Sequence, residues 1–246
     1  MKYKVPEHQI QDWSCERPYI KSSMTREEIE QFILDVNPEA KEVWDRQELV
    51  TVKYLDKGGN FCEGQIVVDK NLADEVKEFF DFCITVKYQI YKIVPIQNQS
   101  YKGEDNLSMK DNNSSAMNFR YIAGTNRLSL HSFGFAIDIN PWDNPVVKNG
   151  EVLEPQGAEY KPEDEQTLNQ NHPVVKWLEE RGWEWGGTWG DDPYSDNHHF
   201  QKPFATEQYL DELEKQLVAG KITESDYEHR KEVAQRNSQI LNNEKV

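Results

Sequence analysis

Two histidines and two acids at fixed spacings are the residues of this chain best suited to chemistry. Asp138 follows His131 by seven residues, and Asp196 precedes His199 by three. Imidazole and carboxylate together suit a divalent metal, because zinc accepts both nitrogen and oxygen ligands. Phe135 to Asn140 alternates, with Phe135, Ile137 and Ile139 on one face and Ala136, Asp138 and Asn140 on the other, as in a half-buried strand. Asp138 is then presented opposite the apolar face. His131 has the other parity, and Gly134 supplies a bend that brings its ring round to the same side. His199 is the third ligand in this reading, which gives one zinc per chain and leaves a fourth position for water, as a catalytic site requires. His198 is the alternative to His199, since strand alternation lets one of the two face inward. An acid three residues before a histidine ligand can take a proton from water beside the metal. That makes Asp196 the expected general base and acid, with Glu184 in reserve. Arg120, on an expected neighbouring strand, can hold a substrate carboxylate or a developing oxyanion.

The elements that must position these groups are legible in outline. Thr25 with Glu28 three residues on reads as a capping box, and Ile29, Phe32, Ile33 and Val36 give a helical stripe ending before Pro38. A short helix is expected over 38–46. Leu49–Leu55 and Phe61–Val68 flank a Gly-Gly turn as a hairpin. Residues 70–88 read as a helix with Leu72, Val76, Phe79, Phe80 and Cys83 inward. Short strands are expected at 91–96, 119–122 and 196–201, long surface loops at 97–118 and 147–171, a helix from Pro173 to about Arg181, and charged helices from Thr206 and Tyr227 onward. Trp183, Trp185 and Trp189 are expected in the core or along a groove wall.

With 246 residues the chain has room for one large domain or one domain with extensions. A formal charge of -16 disfavours nucleic acid, which needs clustered Lys and Arg, and disfavours an anionic membrane surface. No apolar run of about 18 residues offers a membrane span. No apolar stretch of signal-peptide type follows the first six residues. Cys15, Cys62 and Cys83 are far apart and odd in number, and are expected as free thiols, the last two buried.

The pattern Ser129-x-His131-x-x-Gly134-x-Ala136-x-Asp138 resembles the first metal motif of the D-alanyl-D-alanine metallopeptidases, which include VanY-type carboxypeptidases, VanX-type dipeptidases and L-alanyl-D-glutamate endopeptidases. Asp196-x-x-His199, preceded by Gly182-Trp183-x-Trp185-Gly186-Gly187-x-Trp189, is similar to the second motif, with aspartate as base as in the endopeptidase branch. Ser114 to Arg120 resembles the segment that carries the family's substrate arginine. The likeness covers about residues 50–202. It implies an α+β fold with a small central antiparallel sheet flanked by helices, shared in its zinc constellation with hedgehog-type domains. It also implies one zinc, Asp196 and Arg120 as catalytic groups, Arg120, Ser129 and Trp189 at the substrate, and cleavage of peptidoglycan stem peptides. The catalytic unit is expected over 49–203, with a helical extension at 1–48 and a helical tail at 204–246 that could pair with another chain. The substrate so implied lies outside the cytoplasm. The competing reading is a non-catalytic module that binds wall peptides or a protein on the same fold. A serine or cysteine hydrolase is disfavoured, because no Gly-x-Ser-x-Gly elbow or recognisable nucleophile motif is present.

Overall fold

The computed structural model describes residues 22–122, 125, 128–189, 194–204, 207–220 and 222–243. The chain begins with α1 (Arg26–Val36), capped as the sequence indicates: the Glu28 N–H donates to Thr25 Oγ1 at 3.2 Å and the Thr25 N–H to Glu28 Oε2 at 2.8 Å. Eleven residues make a marginal helix alone; this one is held by burying Ile29 and Ile33 with Ala40, Trp44, Val67 and Met117. A 3-10 turn at Pro38–Ala40 leads into α2 (Lys41–Trp44). The hairpin β1 (Gln47–Leu55) and β2 (Phe61–Asp69) follows, its turn tied by the Asp56 carboxylate, which accepts from the N–H groups of Gly58 and Asn60 at 2.8 Å. Val50, Val52 and Tyr54 alternate inward along β1. Across them packs α3 (Ala73–Thr85), whose Val76, Phe79, Phe80 and Cys83 join the main core.

The middle of the chain runs through β3 (Lys92–Ile93), α4 (Asp105–Lys110) and β4 (Asn113–Ser114), then β5 (Ala136–Asp138), β6 (Val146–Lys148) and β7 (Glu151–Glu154). Then come α5 (Pro173–Glu179), β8 (Glu184–Trp185), β9 (Tyr194–Asp196), β10 (His199–Gln201), α6 (Glu207–Val218) and α7 (Glu224–Asn243). Helices and small, mostly antiparallel sheets are mixed, as expected, but the described residues form no single central sheet. Their strands fall into four sheets: β1–β2, the parallel pair β3–β4, β5–β10–β8 and β7–β6–β9. Residues 119–122 are not a strand; Tyr121 makes only a lone bridge to Leu128. The expected loops are shorter than read, since 97–118 contains α4 and β4, and 147–171 contains most of the β6–β7 hairpin.

Of the cysteines, Cys83 is buried and free as expected, whereas Cys62 is disulfide-bonded, which corrects its expected free thiol. Its partner and the first 21 residues lie outside the described residues. The C-terminal helices pack back on the body: Asn237, 2 % exposed, donates through Nδ2 to the carbonyls of Gly182 at 3.2 Å and Pro203 at 2.9 Å. Among the described residues no helix is long and apolar enough to cross a membrane.

Candidate metal centre

Ser129 starts the site. Its hydroxyl accepts from the His131 N–H at 3.3 Å and caps a 3-10 turn over Leu130–Phe133, so His131 sits on a turn rather than on the strand. Gly134 closes that turn at φ 71°, and a Cβ there would fall 2.1 Å from Gln47 Oε1 and 2.4 Å from the Asp69 nitrogen. Both the left-handed bend and the close approach require glycine. β5 then presents Asp138, with Ile137 and Ile139 in the core. β10 pairs antiparallel with β5 in a register that sets His199 directly across from Asp138. This pairing joins residues that are 61 positions apart in sequence.

His131 Nε2 lies 3.1 Å from His199 Nδ1 and 3.2 Å from Asp138 Oδ2, and His199 Nδ1 lies 3.0 Å from Asp138 Oδ1. All three residues are buried. The tautomers follow from the partners on the far side of each ring. His131 Nδ1 donates to the Ala116 carbonyl at 2.6 Å, which leaves a lone pair on Nε2. Gln201 Nε2 donates to Glu184 Oε2 at 3.0 Å, turning its amide oxygen toward His199 Nε2 at 3.3 Å, which leaves a lone pair on His199 Nδ1. Two lone pairs and a carboxylate thus converge on one point, a donor set that calls for a cation. The edge of a tetrahedron with zinc–nitrogen bonds of about 2.0–2.1 Å is about 3.3 Å, so the spacing fits zinc with slight expansion. The outer partners Ala116, Gln201 and Glu184 are what metal-binding imidazoles need to hold tautomer and orientation. Burial opposes ionisation of Asp138, but the imidazoles of His131, His198 and His199 outweigh it and hold the carboxyl well below the usual range. Burial likewise opposes a charge on His199, and Asp138 outweighs it and raises that ring's pKa.

Asp196 ends β9, and the turn at Asn197–His198 separates it from β10, so the single strand expected over 196–201 is two strands in different sheets. The reversal lets both histidines turn inward, at 4 % exposure for His198 and 8 % for His199, where alternation along one strand allowed only one. His199 joins the ligand cluster. His198 instead donates through Nδ1 to the Asn144 carbonyl at 2.9 Å and sets Nε2 3.2 Å from Asp196 Oδ1. That last contact is off the hydrogen-bond axis, and Asp196 Oδ1 is buried without a formal donor. Gly186 brings Asp196 and His199 together: a Cβ there would meet the Asp196 carbonyl oxygen at 2.5 Å, Asp196 Cβ at 3.0 Å and His199 Cβ at 3.3 Å. Glu184, the reserve base, stands behind Gln201 as a support for His199.

The cluster opens into a groove of about 1040 Å³ lined also by Arg120, Ser129 and Trp189. The Trp189 ring lies 5.0 Å from that of His199. Arg120 is reached from a loop, not a strand; its N–H donates to Ser132 Oγ at 2.9 Å and its Nε lies 2.5 Å from Asp105 Oδ2. His131, Asp138, His199, Asp196, Arg120, Ser129 and Trp189 therefore line one groove, whereas Glu184 does not reach it. Those missed are the supports Ala116, Gln201 and Asn144 and the pairing acid Asp105; His198, weighed as the alternative ligand, stands instead beside Asp196.

Residues 123–202 match the family model described as D-alanyl-D-alanine carboxypeptidase, a span that holds both metal motifs. No curated protein and no solved structure matches the chain.

Proposed function

We propose, taking the D-alanyl-D-alanine carboxypeptidase match over 123–202 as the premise, that the chain is a zinc-dependent peptidase that hydrolyses peptidoglycan stem peptides. The observation that carries this is the convergence of two imidazole lone pairs and the Asp138 carboxylate within 3.2 Å of one another, each ring braced from behind. His131, Asp138 and His199 would hold the ion. Zinc in that position would polarise the scissile carbonyl and make a water acidic enough to react near neutral pH.

The remaining roles fall to the protein. Asp196 takes the proton from the attacking water and hands it to the leaving amine. Its backbone is fixed by close packing on Gly186 and its carboxylate faces His198. Arg120 offers guanidinium nitrogens to a substrate oxygen, and Trp189 and Ser129 form groove wall. The catalytic unit is 49–203, a hedgehog-like zinc fold, with 1–48 and 204–246 as extensions. The acidic chain and the single cation, Arg120, among the described residues lining the groove agree with a peptide substrate rather than a nucleic acid.

The test is zinc stoichiometry by elemental analysis together with mass spectrometry of products from a defined muropeptide. Asp196→Ala should keep one zinc and lose turnover, whereas His131→Ala and His199→Ala should lose the metal. An Asp196→Ala protein with full activity would falsify the assignment of the base. Full zinc occupancy with no hydrolysis of any wall peptide would favour the non-catalytic binding module.

A further inference from the structure

We propose that Asp105 sets the substrate class of the groove: by pairing with Arg120 it cancels the charge that would select a free terminal carboxylate, so that peptides continuing past the cleaved bond are accepted. This rests on the peptidase reading above. Arg120 is the one Lys or Arg among the described residues lining the groove. A carboxylate-ended substrate needs a cation there, since Asp138, Asp196 and Glu154 line the same groove and repel it. Asp105 sets its charge against that cation, with Oδ2 at 2.5 Å from Arg120 Nε, an ion contact off the N–H axis. Its other oxygen accepts from Asn118 Nδ2 at 2.7 Å, and Asn118 Nδ2 also reaches the Gly103 carbonyl at 3.3 Å. Asp105 is therefore held on both sides and does not simply swing away when an anion arrives.

The pair is about one-third exposed at each partner, with side-chain exposures of 36 % and 30 %. An ion pair so exposed adds little to stability, which leaves charge selection at the groove as its consequence. What remains of Arg120 for a substrate is its hydrogen-bonding capacity toward a neutral peptide carbonyl. The groove volume of about 1040 Å³ is also at the top of the range of about 300–1,000 Å³ that holds a drug-sized ligand, which leaves room for chain on both sides of the bond.

Two wall peptides of one sequence, one ending in a free carboxylate and one in an amide, test the idea. The zinc-loaded enzyme should cleave both with kcat/KM values within about threefold. Asp105→Asn should raise the preference for the free acid at least tenfold, and Asp105→Glu should return it to the native ratio. Calorimetric titration of both peptides into Asp196→Ala reads the same ratio as Kd without turnover. A native enzyme that prefers the free acid more than tenfold overturns the proposal alone, as does an Asp105→Asn protein with an unchanged ratio. A native enzyme that cleaves neither peptide overturns the peptidase reading and this proposal with it.

Discussion

Gly186→Ala isolates the claim that the base and a metal ligand are positioned through one point of backbone. Gly186 is one of the glycines whose φ lies outside the left-handed region, so alanine brings no backbone strain of its own. The added methyl would sit 2.5 Å from the Asp196 carbonyl oxygen, against an ordinary contact of 3.4 Å or more. Relief therefore requires Asp196, at the end of β9, to retreat from Gly186 by about 0.9 Å, since neither the methyl nor the carbonyl belongs to a flexible side chain. Overpacking of this size costs about 1–3 kcal/mol of stability. Misplacing a reacting group by about 1 Å costs about 100-fold in rate. His199 Cβ, at 3.3 Å, needs to give by only a tenth of an ångström or so, so zinc should bind with little change. The expected result is a folded, zinc-loaded protein whose kcat falls about 100-fold with KM much less affected. The assays are muropeptide turnover, zinc titration against a chromogenic chelator, and thermal melting. Near-native kcat in a folded Gly186→Ala protein would refute the reasoning, as would loss of zinc in step with loss of activity.

Three further outcomes are expected. Gln201→Leu removes the acceptor behind His199 Nε2 and should weaken zinc about 10- to 100-fold, read by chelator competition; native affinity would show that the amide does not orient the ring. Zinc at about 100 times its Kd should stabilise the fold by about 2.7 kcal/mol, seen as a rise in Tm that a chelator reverses, and a Tm indifferent to both would count against the site. Burial lowers the pKa of His172 from its ordinary 6.5 by disfavouring the charged ring packed against Tyr88, and it outweighs the Glu165 carbonyl, which accepts from the ring and favours the charge. The unfolded chain then binds the proton at a higher pH than the folded one, so this contribution is intact above 6.5 and is lost as pH falls below it. His172→Asn can still cap Val174 and should flatten the fall in Tm between about pH 7 and 5; an unchanged slope would remove His172 as a source.

Local chemistry carried much of the candidate site. The capping box at Thr25, the bend at Gly134, the alternation that turns Asp138 away from Ile137 and Ile139 and the Asp-x-x-His spacing are short-range patterns of sterics and side-chain periodicity, although both faces of that strand are buried and not one as expected. The same rules misjudged 196–201, because alternation along a strand holds only while the strand continues, and Asn197–His198 reverses it. They were also silent on the partners. Nothing within a few residues of His131 announces that the Ala116 carbonyl fixes its tautomer, nor does Arg120 announce Asp105 on a helix inside an expected loop. The Gln201–Glu184 brace and the His198–Asn144 contact join residues 17 and 54 positions apart. Sequence alone named the groups able to bind a metal and move a proton. Only the packed chain decided which atoms of those groups face one another, because hydrogen-bond partners across sheets are set by strand register and core packing rather than by neighbours along the polymer.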